Sequence, residues 1–311
     1  MFLSLLEKAF KASHHLTATN KGKTVIISIT ITVYEAKQGI YPKSEMEWSS
    51  YDGILLPGSF SSAYENDEWI QKLKCVIQSE IHAKGRKTLA VCFGHQIFAH
   101  SFHITKHGDD ESSNIDNDSG GLATPCPRGL QVGWRGFTIE SVWIKPQSES
   151  SSRECLSMLY THGDMVHSLP KHCAVSLGGT DTVPIQAAAY FAHVEECNEK
   201  ESEIQVSKID GMQAKTQAKM RQPYAFTFQG HPEYATDIGI QTFTNILKNM
   251  EDNDKLEQEA TMNARNDALE SLQSVESDCV NLMKVVGDAF GWMDVDADAD
   301  ADADANANAK G

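Results

Sequence analysis

The strand-like run Thr88-Leu89-Ala90-Val91 passes straight into Cys92-Phe93-Gly94-His95-Gln96 and a helical pattern reaching Phe102, with no loop between them. A buried strand that turns at once into a helix belongs to α/β architectures, where the helix packs back on the sheet it leaves. The flanking segments agree. Tyr51 to Leu56 reads as a buried strand closed by Pro57-Gly58-Ser59, and Trp69 to His82 reads as a helix stopped by Gly85. Strand, helix, strand, helix at these lengths predicts a mainly parallel sheet with helices on both faces.

The turn itself carries chemistry. Gly94 suits it because a sharp bend leaves no room for a Cβ two residues past the turning position. A helix N-terminus favours a thiolate at Cys92 and offers backbone N–H groups, that of Phe93 among them, to an oxyanion. A lone cysteine is more often a small buried apolar residue. Here the strand, Gly94 and Gln96 together favour a nucleophile. A thiol needs a base, and His231-Pro232-Glu233 follows the strand-like Tyr224–Gln229. His231 can take the thiol proton while Glu233 orients the ring; taken alone, the tripeptide reads more readily as a surface turn containing proline.

Cys92-Phe93-Gly94-His95-Gln96 with a downstream His231-Pro232-Glu233 resembles the class I glutamine amidotransferases, whose triad is Cys, His and Glu in that order. Asp52 to Ser59 is similar to the strand and glycine turn that supplies part of the oxyanion hole there, which implies a role for Gly58. Ser62 to Glu65, Trp69-Ile70, Gly129 to Trp134, His162 to Val166 and Pro184 to Ala187 are similar to the GMP-synthase-like branch, which includes the plant γ-glutamyl peptidases. The resemblance covers 24–250 well and 251–292 loosely. It implies a flavodoxin-like fold, a small-molecule γ-glutamyl substrate, no cofactor and no metal. It also implies that Gln96 contacts the amino-acid end of the substrate and that Asp164 binds its α-amino group, although Asp164 also reads as the cap of a helix at 165–168. His95 reads as a brace for the helix start, and His100, His103 and His107 as a solvated face.

Three departures stand out. Ala90 occupies a place where glycine is common. Two acidic stretches, 108–127 and 195–222, read as insertions. The chain opens with an amphipathic helix at 2–13 where the family has a strand first, so an N-terminal truncation is expected, with Thr24–Tyr34 as the next strand. A single domain over 1–292 is expected, followed by a disordered Asp/Ala tail over 293–311, whose low-complexity alternation of Asp and Ala gives no apolar face to build a core.

Lys and Arg total 27 against 43 Asp and Glu, a net charge of −16, which argues against nucleic-acid or anionic-membrane partners. No run approaches the roughly 20 apolar residues of a membrane span. Seven dispersed cysteines without a paired CxxC fit reduced thiols and a cytoplasmic or nuclear setting. The expected activity is hydrolysis of a γ-glutamyl amide through a thioester on Cys92. No glycine-rich ATP-pyrophosphatase segment follows residue 250, so a free-standing hydrolase or a subunit feeding a separate synthase is expected. Two other readings stay open: a non-catalytic interaction protein keeping the fold, and a cysteine peptidase or glyoxalase-like member of the wider superfamily.

Overall fold

The computed structural model describes residues 1–17, 29–103, 120–139, 155–192 and 222–292. Its seven-stranded sheet has the order β1-β2-β9-β8-β7-β4-β5, and β3 pairs with β6 in a separate two-stranded sheet. The strands are β1 (Ile54–Leu56), β2 (Thr88–Val91), β3 (Leu122–Pro125), β4 (Gln131–Ile139), β5 (Cys155–His162), β6 (Asp164–Ser168), β7 (Ala174–Gly179), β8 (Ala187–Tyr190) and β9 (Ala225–Phe228). β1, β2 and β9 run parallel. β8, β7, β4 and β5 extend the sheet in antiparallel pairings.

Helices cover both faces, as the strand–helix alternation predicts. On one face, α1 (Phe2–Thr17), α5 (Asp237–Asp252) and α6 (Gln258–Ala289) bury Leu5, Phe243, Val275 and Met283 against Leu89, Val91, Phe226 and Phe228. On the other, α3 (Glu68–Val76), its π-helical extension Ile77–His82 and α4 (Phe93–His100) bury Ile70, Ile77, Ile97 and Phe98 against Ala90, Ala188 and Tyr190. Neighbouring residues of β2 thus face opposite layers, the period-two alternation of a strand buried on both sides. The outer edge at β5 is closed by α6, whose Asp278 carboxylate accepts the Ser157 N–H at 2.9 Å. Such a contact removes one of the unpaired donors that an edge strand exposes.

Several expectations are corrected. Ile29 to Tyr34, the described end of the run expected to be a strand, forms none, while 18–28 lie outside the described residues. A β-branched run favours a strand only where a ladder partner is available. The loop expected over Gly39–Ser50 contains a short helix, α2 (Glu45–Trp48), capped by Ser44. Gly129–Gly133 and Gly136–Trp143 are not two strands: β4 runs through both glycines on one ladder with β5, and 140–154 lie outside the described residues. The expected helix at 165–168 is part of β6, paired with β3. β3 itself occupies the end of the stretch taken as an insertion over 108–127, whose residues 108–119 lie outside the described ones, as do 195–221 and the tail 293–311.

Candidate active site

The three parallel strands end at one rim of the sheet, and the site lies there, where α/β folds place their ligands. Cys92 follows the last residue of β2. Its backbone has φ 54° and ψ −109°, a strained conformation for a residue with a side chain, and its N–H donates to the Phe228 carbonyl of β9 at 2.8 Å. Phe93 opens α4, and the first N–H groups of a helix have no acceptor within it. Gly94 packs on the end of β1, where a Cβ would overlap the Leu56 carbonyl. That forces the α4 start against the turn carrying Gly58. A Cβ on Gly58 would lie 3.0 Å from His231 Cε1 and 3.5 Å from Cys92 Cβ, so the absence of a side chain keeps the space above sulfur and imidazole open.

His231 follows β9 through Gln229 and Gly230. Its N–H donates to the Leu159 carbonyl of β5 at 2.9 Å, which anchors it to a strand that sequence reasoning missed. Its Nδ1–H donates to Glu233 Oε1 at 2.8 Å, with both side chains almost fully buried. The ring stacks on Tyr234, centroids 4.2 Å apart and planes 11° from parallel. Burial opposes a charge on His231, but the Glu233 carboxylate and the Cys92 sulfur outweigh it and hold the ring well above its ordinary 6.5. Cys92, His231 and Glu233 are therefore brought together. The arrangement can move a proton from sulfur to Nε2 while Nδ1 stays fixed by the carboxylate.

The remaining expected residues surround this core. Gln96, one turn into α4, donates through Nε2 to the Asp164 carbonyl at 2.8 Å and to Gln229 Oε1 at 3.2 Å. Its amide therefore braces the start of β6 against the elbow. The Asp164 carboxylate accepts the Tyr64 hydroxyl at 2.9 Å. His95 is a structural brace as expected: it is fully buried, with Nδ1 at 2.7 Å from Thr227 Oγ1 and Nε2 at 3.2 Å from the Ile185 carbonyl. His100 is not on a solvated face. It is buried and accepts the Ala123 N–H at 3.1 Å; His107 lies outside the described residues. Tyr234, Gln229 and Thr161, whose hydroxyl lies 3.4 Å from His231 Nε2, were not singled out from sequence. Of these, the aromatic residue directly after Glu233 was the one available signal.

Among the described residues, one group has the side chains for a metal: His82, His172 and Cys173, with ligand atoms within 4.8 Å of one another. It packs on the α3–α4 side, remote in the fold from Cys92, and burial pushes the Cys173 thiol up to about 12, against the thiolate a metal takes.

The family described as glutamine amidotransferase class-I matches residues 23–249, most of the chain. The chain belongs to the class I glutamine amidotransferases. It is 25% identical over 234 residues to γ-glutamyl peptidase 5 of Arabidopsis thaliana, covering 74% of this chain and 73% of that protein. A glutamine amidotransferase of Thermotoga maritima shares the fold with a TM-score of 0.52 at 16% identity, over 81% of this chain and 85% of the other. One of Methylobacillus flagellatus does so at 0.55 and 14%, over 90% and 87%. As in those structures, a flavodoxin-like sheet lies between helical layers. No helix among the described residues is long and apolar enough to cross a membrane.

The buried histidines of this amidotransferase give its stability a definite pH dependence. Burial pushes His95 down to about 3, and His100 and His162 down to about 4. Unfolding returns them toward 6.5, so below that pH the unfolded chain takes up protons that the folded chain refuses. Stability therefore falls with pH until the folded values near 3 to 4 are passed. His231 works in the opposite direction: its contribution is complete below 6.5 and is lost as pH rises toward its elevated folded value. Stability should peak near the ordinary histidine value. The two most deeply buried, His95 and His162, each cost on the order of 1–2 kcal/mol by about pH 5. Thermal melts should accordingly show Tm lower by roughly 5–10 °C at about pH 5 than near neutrality. A flat profile would mean these imidazoles protonate in place.

Proposed function

We propose that the chain is a cysteine-dependent amidohydrolase acting on a γ-glutamyl amide, either glutamine or a γ-glutamyl peptide. Cys92 gives its proton to His231 Nε2 and attacks the γ-carbonyl. The N–H of Phe93 and the backbone at Gly58 receive the oxyanion. Collapse breaks the C–N bond, and the departing amine takes the proton from His231. Water, deprotonated by His231, then cleaves the thioester to release glutamate and restore the thiol. Glu233 holds the tautomer and stabilises the imidazolium between the two proton transfers. Gln96 and Asp164 shape the pocket for the glutamyl end, Gln96 by fixing the Asp164 backbone and Asp164 by offering a carboxylate to the α-amino group.

The observation that carries this reading is His231 fixed by Glu233 and facing Cys92 at the rim where β2 turns into α4. The six described cysteines are all free thiols, which suits a reducing cytoplasmic setting. A separate synthase receiving ammonia is the partner this reading allows if glutamine is the substrate. The test is to incubate the full chain with glutamine, with glutathione and with other γ-glutamyl peptides, and to quantify released glutamate. Release from at least one supports the proposal, and release from none removes it in favour of a non-catalytic interaction protein.

A further inference from the structure

The segment that leaves the Gly58 turn is tied across the site through Tyr64. Ser62-Ala63-Tyr64-Glu65 closes as a turn, with the Glu65 N–H donating to the Ser62 carbonyl at 3.1 Å. Ala63 is buried in the same layer as Phe93 and Ile97 of α4, which fixes where Tyr64 leaves the backbone. The Tyr64 ring stands edge-on to His100 of α4, with centroids 6.5 Å apart and planes at 69°. Its hydroxyl donates to Asp164 Oδ1 at 2.9 Å. Asp164 opens β6, opposite Pro125 of β3. One side chain thus joins the oxyanion turn, the nucleophile's helix and the two-stranded sheet.

Among the described residues, no lysine, arginine or histidine pairs with the Asp164 carboxylate, and the Tyr64 hydroxyl is its hydrogen-bond partner. A half-buried carboxylate held by a neutral donor keeps acceptor capacity, above all on Oδ2, and favours a cation beside it. The backbone of the same residue is placed separately, by the Gln96 amide that donates to its carbonyl from one turn beyond Cys92. Gln96 therefore sets where Asp164 sits, and Tyr64 sets how its carboxylate is turned. The division matters because the last torsion of an aspartate is soft. Without the hydroxyl the carboxylate rotates in water, and a ligand has to order it on binding.

From this geometry we infer that Tyr64 is a positioning residue for substrate selection: by holding Asp164 Oδ1 it leaves Oδ2 oriented for the α-ammonium group of the substrate, and so discriminates against acyl groups that lack that ammonium. The inference rests on the proposed hydrolase reading and adds to it what sets selectivity at the acyl end. Tyr64 acts through Asp164 and not on the reacting atoms. Its hydroxyl should therefore bear on binding of the ammonium, with little effect on attack by Cys92.

The test compares γ-glutamyl-p-nitroanilide with glutaryl-p-nitroanilide, which differ only in the α-amino group, on the full chain and on its Tyr64→Phe variant. That variant keeps the ring against His100, and thermal melts confirm its fold. The native chain should favour the γ-glutamyl compound in kcat/KM by at least about thirtyfold, and Tyr64→Phe should reduce that ratio by about five- to tenfold through KM, with kcat nearly constant. Asp164→Asn should erase the ratio, and adding Tyr64→Phe to it should change the ratio no further. An equal loss for both anilides, a ratio untouched by Tyr64→Phe, or a further fall of the ratio in the Asp164→Asn background overturns the inference. A second arm needs no turnover: glutamate and glutarate are titrated into the Cys92→Ala chain by NMR, with and without Tyr64→Phe. Tighter binding of glutamate, weakened by Tyr64→Phe, supports the inference, and equal or absent binding of the two overturns it. If no γ-glutamyl compound is hydrolysed, the hydrolase reading fails while this titration still decides the role of Tyr64.

Discussion

Serine in place of Cys92 should lower kcat/KM for γ-glutamyl hydrolysis by roughly three orders of magnitude or more while leaving Tm within about a degree. The hydroxyl occupies nearly the same volume, so the turn at φ 54° and the bond from residue 92 N–H to Phe228 persist. The chemistry does not persist, because the hydroxyl proton is far harder to move onto His231 than a thiol proton. The pull that Cys92 exerts on the imidazole, one of the causes of its raised value, also disappears. Steady-state assays and thermal melts on the same preparation separate the two effects. A variant with native activity would remove Cys92 from the reaction, and one that melts far lower would make it a packing residue.

Alanine at Gly94 should damage both fold and activity. The added Cβ would meet the Leu56 carbonyl, and it would also lie 3.0 Å from Leu56 Cβ. Backbone atoms of β1 cannot swing aside as a flexible side chain can. Overpacking of this kind costs about 1–3 kcal/mol, which lowers Tm by roughly 2–9 °C. The relief available is to push the end of β1 away, and that moves Gly58 from its place above His231 and Cys92. Activity should therefore fall by about a hundredfold or more even in the folded fraction, since misplacing an oxyanion donor has costs of that size. Gly163→Ala is the matched control, because nothing lies within 4 Å of its added Cβ. Equal melting of the two variants would mean that β1 and α4 are less tightly locked than their packing shows.

The elbow was readable from sequence because its constraints are local. A four-residue buried strand, a cysteine and a glycine forced by backbone contact all fall within Thr88 to Gln96. His231-Pro232-Glu233 was readable for the same reason, since the hydrogen bond that fixes the imidazole spans two residues. What holds this tripeptide in place was not. β5 is buried on both sides over Leu156–Tyr160 and therefore shows no alternation, yet Leu159 anchors His231. β6 is five residues of mixed character whose strand conformation depends on pairing with β3 some forty residues earlier. The Thr24–Tyr34 run shows the converse: strong β-branched composition, with no ladder over its described part. The family resemblance implied a substrate contact for Gln96, while its hydrogen bonds to Asp164 and Gln229 depend on strands far away in the chain. Local motifs thus gave the reacting groups, while non-local pairing determined what positions them.

The central claim is that Cys92 is a nucleophile driven by His231, and active-site labelling tests it most directly. The chain is treated with a diazo-ketone analogue of glutamine, an electrophile that carries the γ-glutamyl skeleton to the attacking sulfur, and the adduct is located by peptide mass mapping. The account predicts one adduct per chain, on Cys92, formed much more slowly in the His231→Asn variant and suppressed by excess γ-glutamyl substrate. Labelling spread over the exposed thiols Cys75 and Cys155, or an adduct on Cys92 whose rate ignores both His231 and substrate, would contradict it.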